Sequence, residues 1–275
     1  MASLESQYSP TLEQFPLRSQ KIHVLDYAGG GNAAYVFKVL IDGKTYALKM
    51  FKFDNPLLYP SRLRGISRRA VYDNFFIECR TNTSLIRQEL NGKITPFCHG
   101  WILVPTKTER DVAKHFNVQS FLWDRPPNAT DEKVRALLFD WVDGKMVSQI
   151  RITAHIADQI RNALKELHQA SIAHRDIRAA NIMVTKDRVY LIDLNSAWIL
   201  SSPPEISSQK LKDAQEEDHR SLEAGFVLLS QINDGESVAD LSLLGGLSLE
   251  EILTIYDPIK CHWRPQPRSF WHSKR

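Results

Sequence analysis

The stretch "HRDIRAANIMV" runs from His174 to Val184, and "IDLN" follows at Ile192–Asn195. An acid (Asp176), an amide (Asn181) and a second acid (Asp193) stand in that order with apolar residues between them. One explanation of such spacing is a site for a magnesium-bound nucleotide. That explanation requires the rest of the chain to supply a phosphate-binding loop and a cation.

Bulk composition sets the frame. The chain has 275 residues, 43% hydrophobic and 24% charged, enough for one large domain or one two-lobed unit with a core. A net charge of +3 does not argue for a nucleic-acid partner. The three cysteines, Cys79, Cys98 and Cys261, lie far apart, without metal-ligand spacing, and their odd number suits a reducing compartment. No apolar run has the length of a membrane span, and the polar N-terminus has no apolar signal core. These features lead to the expectation of a cytoplasmic or nuclear protein.

Working outward from the quoted stretch, the chain reads as a β-rich front and an α-rich back. Residues 1–20 read as a loose leader. "KIHVLDYA" is a strand leading to Gly29-Gly30-Gly31, and "YVFKVLIDGKTYALKMF" is a hairpin around Asp42-Gly43, a dipeptide suited to tight turns. Residues 54–70 carry Arg62, Arg64, Arg68 and Arg69 and read as a basic loop. "VYDNFFIECRTNTSLIRQEL" is helical and stops at Asn91-Gly92. "ITPFCHGWILVP" is strand, 106–132 an irregular excursion, and "RALLFDWVDG" a strand ending in a turn at Asp143-Gly144. Ile152, Ile156, Ile160, Leu164 and Leu167 mark a core-facing helix, and "NIMVTKDRVYLIDL" a hairpin turning at Lys186-Asp187. Residues 201–217 read as loop, "DHRSLEAGFVLLSQI" as a helix, and "SLEEILTIY" as another opened by a Ser248/Glu251 capping box. The expected division is therefore leader 1–20, front lobe 21–143 and back lobe 144–275, with a ligand cleft between the lobes.

On "HRDIRAAN" and the glycine run, residues 22 to about 230 resemble the protein-kinase superfamily. "NFFIECR" and "GKITPFCHGWILVP" resemble a group of short fungal kinase-like proteins, some of them classed with a fungal kinetochore-subunit family. The first resemblance implies an α+β, two-lobed protein-kinase-like fold with a small β-rich N-lobe and a truncated, mostly α C-lobe. It also implies ATP and Mg²⁺ as cofactors. Gly29, Gly30 and Gly31 would open the phosphate loop, with Ala34 in place of its last glycine, because glycine lets backbone N–H groups approach phosphate oxygens. Lys49 in "YALKMF" would pair with phosphates and with a helix carboxylate, Glu78 by preference and Glu89 in reserve. Asp176 would accept or orient the proton of the attacking hydroxyl. Asn181 and Asp193 would hold the metal. Val36, Ala47 and the linker Phe139–Val142, including Asp140 and Val142, would adjoin the nucleotide. His174 would support the loop, Ile177, Ile182 and Val184 would anchor it, and Asp218 would tie it down. Asn195 stands where the pattern has glycine, and asparagine tolerates positive φ.

The chain also departs from the kinase pattern. Only 25 residues (218 − 193) separate Asp193 from Asp218, which is short for a full activation segment, and Arg175 has no evident phosphorylated partner. Three readings follow. The first is an ATP- and Mg-dependent phosphotransferase with a protein serine or threonine acceptor. The second is a phosphotransferase acting on a small molecule. The third is a non-catalytic kinase-like protein that binds a partner, at a chromosome in one version. Expected partners are a nucleotide and a phosphate acceptor, with no membrane and no nucleic-acid site.

Overall fold

A computed structural model describes residues 10–17, 21–53, 72–116, 123–125, 131–200 and 206–234, together with 256–257 and 262–263. The front of the chain is organised by the hairpin of strands β2 (Ala34–Ile41) and β3 (Lys44–Phe51). Asp42 and Gly43 both take positive φ, 48° and 78°, the geometry whose twist matches that of the flanking strands. Strand β1 (His23–Gly30) pairs antiparallel with β2, so the glycine run closes a second hairpin with Gly29 opposite Val36 and Gly30 opposite Tyr35. Strands β4 (Cys98–Leu103) and β5 (Arg135–Asp140) complete a five-stranded sheet of order β1-β2-β3-β5-β4. Phe37, Val39, Leu48, Met50, Ile102 and Leu138 form its core. Each such side chain contributes about 1.5–3 kcal/mol when fully buried.

Helix α1 (Asn74–Arg87) starts at Asp73, whose Oδ1 accepts the Phe75 N–H at 2.9 Å. Cys79 and Cys98 are buried between α1 and the sheet. Helix α2 (Thr106–Phe116) occupies the front of the excursion expected to be irregular. It buries only Thr108 and Val112, and its polar residues make the segment read as loop. Its start follows Pro105, whose carbonyl accepts the Glu109 N–H at 3.1 Å.

The back of the chain has its own core. Helix α3 (Ala154–Gln169) is capped by Thr153 and buries Ile160, Leu164 and Leu167, while Ile152 precedes it. Short strands β6 (Lys145–Met146), β8 (Ile182–Val184) and β9 (Val189–Leu191) form a three-stranded sheet. β7 (Ile172–Ala173) pairs with β10 (Trp198–Ile199). Ile177 and Ile182 sit in this core, with Val184 packed against it. Leu85 and Ile94 from the front half join the same cluster, and the Leu191 N–H donates to the Ile94 carbonyl at 2.8 Å, so the two lobes share packing.

Helix α4 (Ser208–Asp234) begins ten residues before Asp218, where loop was expected. Ile206 and Leu211 anchor that extra length by burying against Ala173. β11 (Tyr256–Asp257) and β12 (His262–Trp263) form a small pair. The arrangement is α+β and two-lobed, with the five-stranded sheet in front and helices α3 and α4 with short strands behind. The basic stretch 54–70, the Ser248/Glu251 box and Cys261 lie outside the described residues. No described helix is long and apolar enough to cross a membrane.

The expected loose leader differs over residues 10–17. Gln14 bridges in parallel to Trp101, the Phe15 N–H donates to the Trp101 carbonyl at 2.9 Å, and the Trp101 N–H donates to the Glu13 carbonyl at 3.1 Å. Leu12 is 4% exposed. Leu12, Phe15 and Leu17 in a run with two prolines match neither a strand nor a helix period, which is why pattern alone misses this strap.

Candidate functional site

Lys49 lies mid-strand in β3, between Val36 of β2 and Leu137 of β5. Its Nζ donates to Glu78 Oε2 of α1 at 2.5 Å and to Asp193 Oδ1 at 2.6 Å. Lys49 and Glu78 are buried, while 28% of the Asp193 side chain is exposed. Burial works against the Lys49 ammonium, yet the carboxylates of Asp193 and Glu78 outweigh it and raise its pKa. Burial likewise opposes ionisation of Asp193, and Lys49 reverses that, holding the carboxyl below its usual range. Glu78 differs. Desolvation prevails over Lys49 and the Leu194 backbone N–H, and its pKa is pushed up to about 7. Glu89, the reserve partner, is exposed at the end of α1 with φ 58° and takes no part in the pairing.

The loop carrying Asp176 is held from behind. Asp218 Oδ2 accepts the His174 N–H at 2.6 Å and Oδ1 accepts the Arg175 N–H at 2.7 Å, with His168 Nε2 3.1 Å from Oδ2. His174 Nε2 reaches the Ile192 carbonyl at 3.0 Å, and its Nδ1 accepts the Asp176 N–H at 3.3 Å. Asn181 Nδ2 donates to the Asp176 carbonyl at 2.8 Å and to Asp176 Oδ2 at 2.7 Å. The Asn181 carbonyl accepts the Ile192 N–H at 2.9 Å, which ties the amide to the residue preceding Asp193. Burial raises the pKa of Asp176, while Arg178 opposes the rise. Arg178 Nε stands 3.2 Å from Asp176 Oδ2. Sequence reasoning gave Arg178 no role; its signal is a cation two positions after the acid in an extended loop.

The residues present fit a magnesium–nucleotide pair in part. Both bonds of the Asn181 side chain use its nitrogen, leaving the amide oxygen as the group suited to a hard cation. Among the described residues no cluster of three or more His, Cys, Asp or Glu could hold a metal alone. Asn181 and Asp193 would therefore need phosphate oxygens and water to complete a shell, as is usual for magnesium. A Cβ at Gly29 or Gly31 would meet nothing within 4 Å, so the hairpin is open there. A Cβ at Gly30 would strike the Tyr35 ring and the Tyr27 hydroxyl, so packing alone explains that glycine.

Other expected contacts move. The Asp140 N–H is bonded to the Phe97 carbonyl at 2.8 Å. Its Oδ1 takes His99 at 2.8 Å and Lys44 at 2.9 Å. The Asp140 N–H and carboxylate are thus both engaged within the chain, and Val142 is half-buried. Ala47 pairs with Phe139 across β3 and β5. The left-handed residue of the "DLN" turn is Asp193 itself, φ 66° and ψ 61°, while Asn195 is buried in the following turn. Arg175, also at positive φ, stacks its guanidinium 3.8 Å from the Trp198 ring centre and donates to the Ser196 carbonyl at 3.3 Å. A cavity of about 310 Å³ lies elsewhere, beside Thr106, Glu109, Trp123 and Arg125.

Comparison with known proteins adds a family. The model of kinetochore Sim4 complex subunit FTA2 matches residues 2–198. The chain belongs to the FTA2 family. The matched span takes in β1 to β9 and the first residue of β10, and so holds every group from Lys49 to Asp193, but ends before α4 and Asp218. No curated protein matches the chain. Among solved structures, a crystal structure of the Mycobacterium tuberculosis PknI kinase domain is similar, with 18% identity and a TM-score of 0.44 over 76% of this chain and 72% of that one.

Proposed function

We propose that this FTA2-family chain binds Mg–ATP between its lobes and transfers phosphate to a protein hydroxyl within a kinetochore assembly. The observation that supports this most is the Lys49 ammonium, which donates to Glu78 and Asp193 at 2.5 and 2.6 Å. A lysine so placed keeps one N–H for a phosphate oxygen. Glu78 fixes its direction, and Asn181 with Asp193 would hold the metal. Held there, a metal ion would supply positive charge to offset the charge that builds in the transfer. Asp176 would receive the hydroxyl proton, and Arg178, 3.2 Å away, keeps a positive charge beside it. Family membership supports protein partners and a nuclear location.

Thermal-shift titration with Mg–ATP should raise the melting midpoint, and Lys49→Ala or Asp193→Ala should each abolish the rise. Asp176→Asn should keep the shift and lose labelled-phosphate transfer to proteins. A second reading, a kinase-like scaffold without turnover, is favoured by the direct Lys49–Asp193 pair, which neutralises the metal-binding acid from within. Absence of any shift in the wild type would select it. Transfer to small molecules but not to proteins would select the small-acceptor reading.

A further inference from the structure

The strap at residues 10–17 touches the elements that hold Glu78 and belongs to neither lobe's expected plan. Leu12 inserts into a cluster with Phe51, Phe75, Cys79, Cys98 and Leu137. Phe75 and Cys79 lie on α1 on either side of Glu78, and Phe51 lies two residues beyond Lys49 in β3. Thr11 Oγ1 meets Thr83 Oγ1 of α1 at 3.1 Å. At the other end, Phe15 packs edge-on to His99 and Tyr46, with ring centres 6.4 and 6.2 Å away, and His99 holds Asp140. Gly100 makes the approach possible: its φ is +126°, and a Cβ would stand 2.5 Å from the Glu13 carbonyl oxygen and 3.0 Å from the Phe15 nitrogen.

The attachment is slight compared with what it covers. Trp101 exchanges two backbone hydrogen bonds with it, Leu12 is its one buried side chain, and Pro16 cannot donate to extend the pairing. Such a segment opens locally without global unfolding. Its departure would leave a hole behind α1 on the side of Phe75 and Cys79. We propose that residues 10–17 are a detachable strand on the β4 edge that keeps α1 seated, so that its release withdraws Glu78 from Lys49. The effect on nucleotide rests on the Mg–ATP reading above; the seating of α1 does not.

The buried thiols report on the strap. In full-length protein carrying Cys261→Ser, Leu12→Asp should speed labelling of Cys79 and Cys98 by a thiol reagent about tenfold. It should accelerate amide exchange across Asn74–Arg87 by a similar factor and weaken Mg–ATP binding at least about fivefold. A synthetic peptide of the sequence Pro10–Leu17, added in excess, should reverse all three. If Leu12→Asp fails to fold, Leu12→Ala carries the same tests with smaller changes. Unchanged labelling and exchange in the folded variant would overturn the proposal, as would peptide that binds without restoring protection. If the wild type binds no Mg–ATP, the nucleotide reading fails on its own, and labelling and exchange still decide the strap.

Discussion

The Lys49 cluster and the Asp176 loop reach the same cleft by different means. Lys49, Glu78 and Asp193 come from a strand, a helix and a turn, and meet mainly through charged side-chain ends, with the Leu194 N–H also reaching the Glu78 carboxylate. The Asp176 loop is fixed through its backbone, with the N–H groups of His174 and Arg175 both held by buried Asp218. A charge cluster of the first kind depends on where α1 sits. A backbone-anchored loop of the second kind depends on one carboxylate fifty residues downstream of His168. The cleft therefore has an adjustable side and a fixed side.

Removing the anchor should have the largest effect. Asp218→Ala leaves the buried His174 N–H and the part-buried Arg175 N–H without their charged acceptor, at about 3–5 kcal/mol, read as a lowered denaturation midpoint; a loss below 1 kcal/mol would mean the loop holds itself. Next is a pH effect on the adjustable side. Folded Glu78 keeps its proton up to about pH 7, whereas unfolded chain releases it near its ordinary value of 4.5. Stability should therefore fall as pH rises from 4.5 to 7, by up to about 3 kcal/mol. Asp193, with its depressed pKa, contributes stability that is lost only as pH falls through the acid range. Lys49's contribution is lost only above pH 10.5. Glu78→Gln should flatten the intermediate window, and an unchanged slope would remove Glu78 as its source. Lys49→Met should cost less, about 2 kcal/mol, because Glu78 can take up a proton when its partner leaves; chemical denaturation at pH 7 measures it. The smallest effect belongs to Arg175→Ala, which loses an exposed guanidinium–indole contact worth about 0.5–1 kcal/mol. Tryptophan fluorescence should report the change at Trp198.

Sequence reading was strongest where chemistry demands particular residue types. The Asp42-Gly43 turn and the β8–β9 hairpin were legible because positive φ and alternation leave few alternatives, whereas the preference for Glu78 over Glu89 as the partner of Lys49 came from the place of "FFIECR" in the family resemblance. Helix α2 was not, because its apolar residues are few and gathered at one end, Val112, Ala113 and Phe116, in an otherwise polar run. The extra turns of α4 were hidden in the same way by a charged surface anchored at Ile206 and Leu211. The positive φ of the "DLN" turn fell on Asp193 rather than Asn195, since the propensity of asparagine is weak beside the charge pairing that turns Asp193 toward Lys49. The engagement of Asp140 by Phe97, His99 and Lys44 depends on long-range register that single-sequence patterns do not encode.

Asp73 has a consequence of its own. Its Oδ1 caps the first turn of α1 and its Oδ2 receives Arg135 of β5 at 2.8 Å, while Arg135 also lies over the rings of Phe75 and Phe76. The front of the helix is thereby riveted to the sheet. Any swing of α1 must pivot about that rivet like a door about its pin, so that Glu78, a turn from the pin, parts from Lys49 by rotation of the helix while its first turn stays on the sheet.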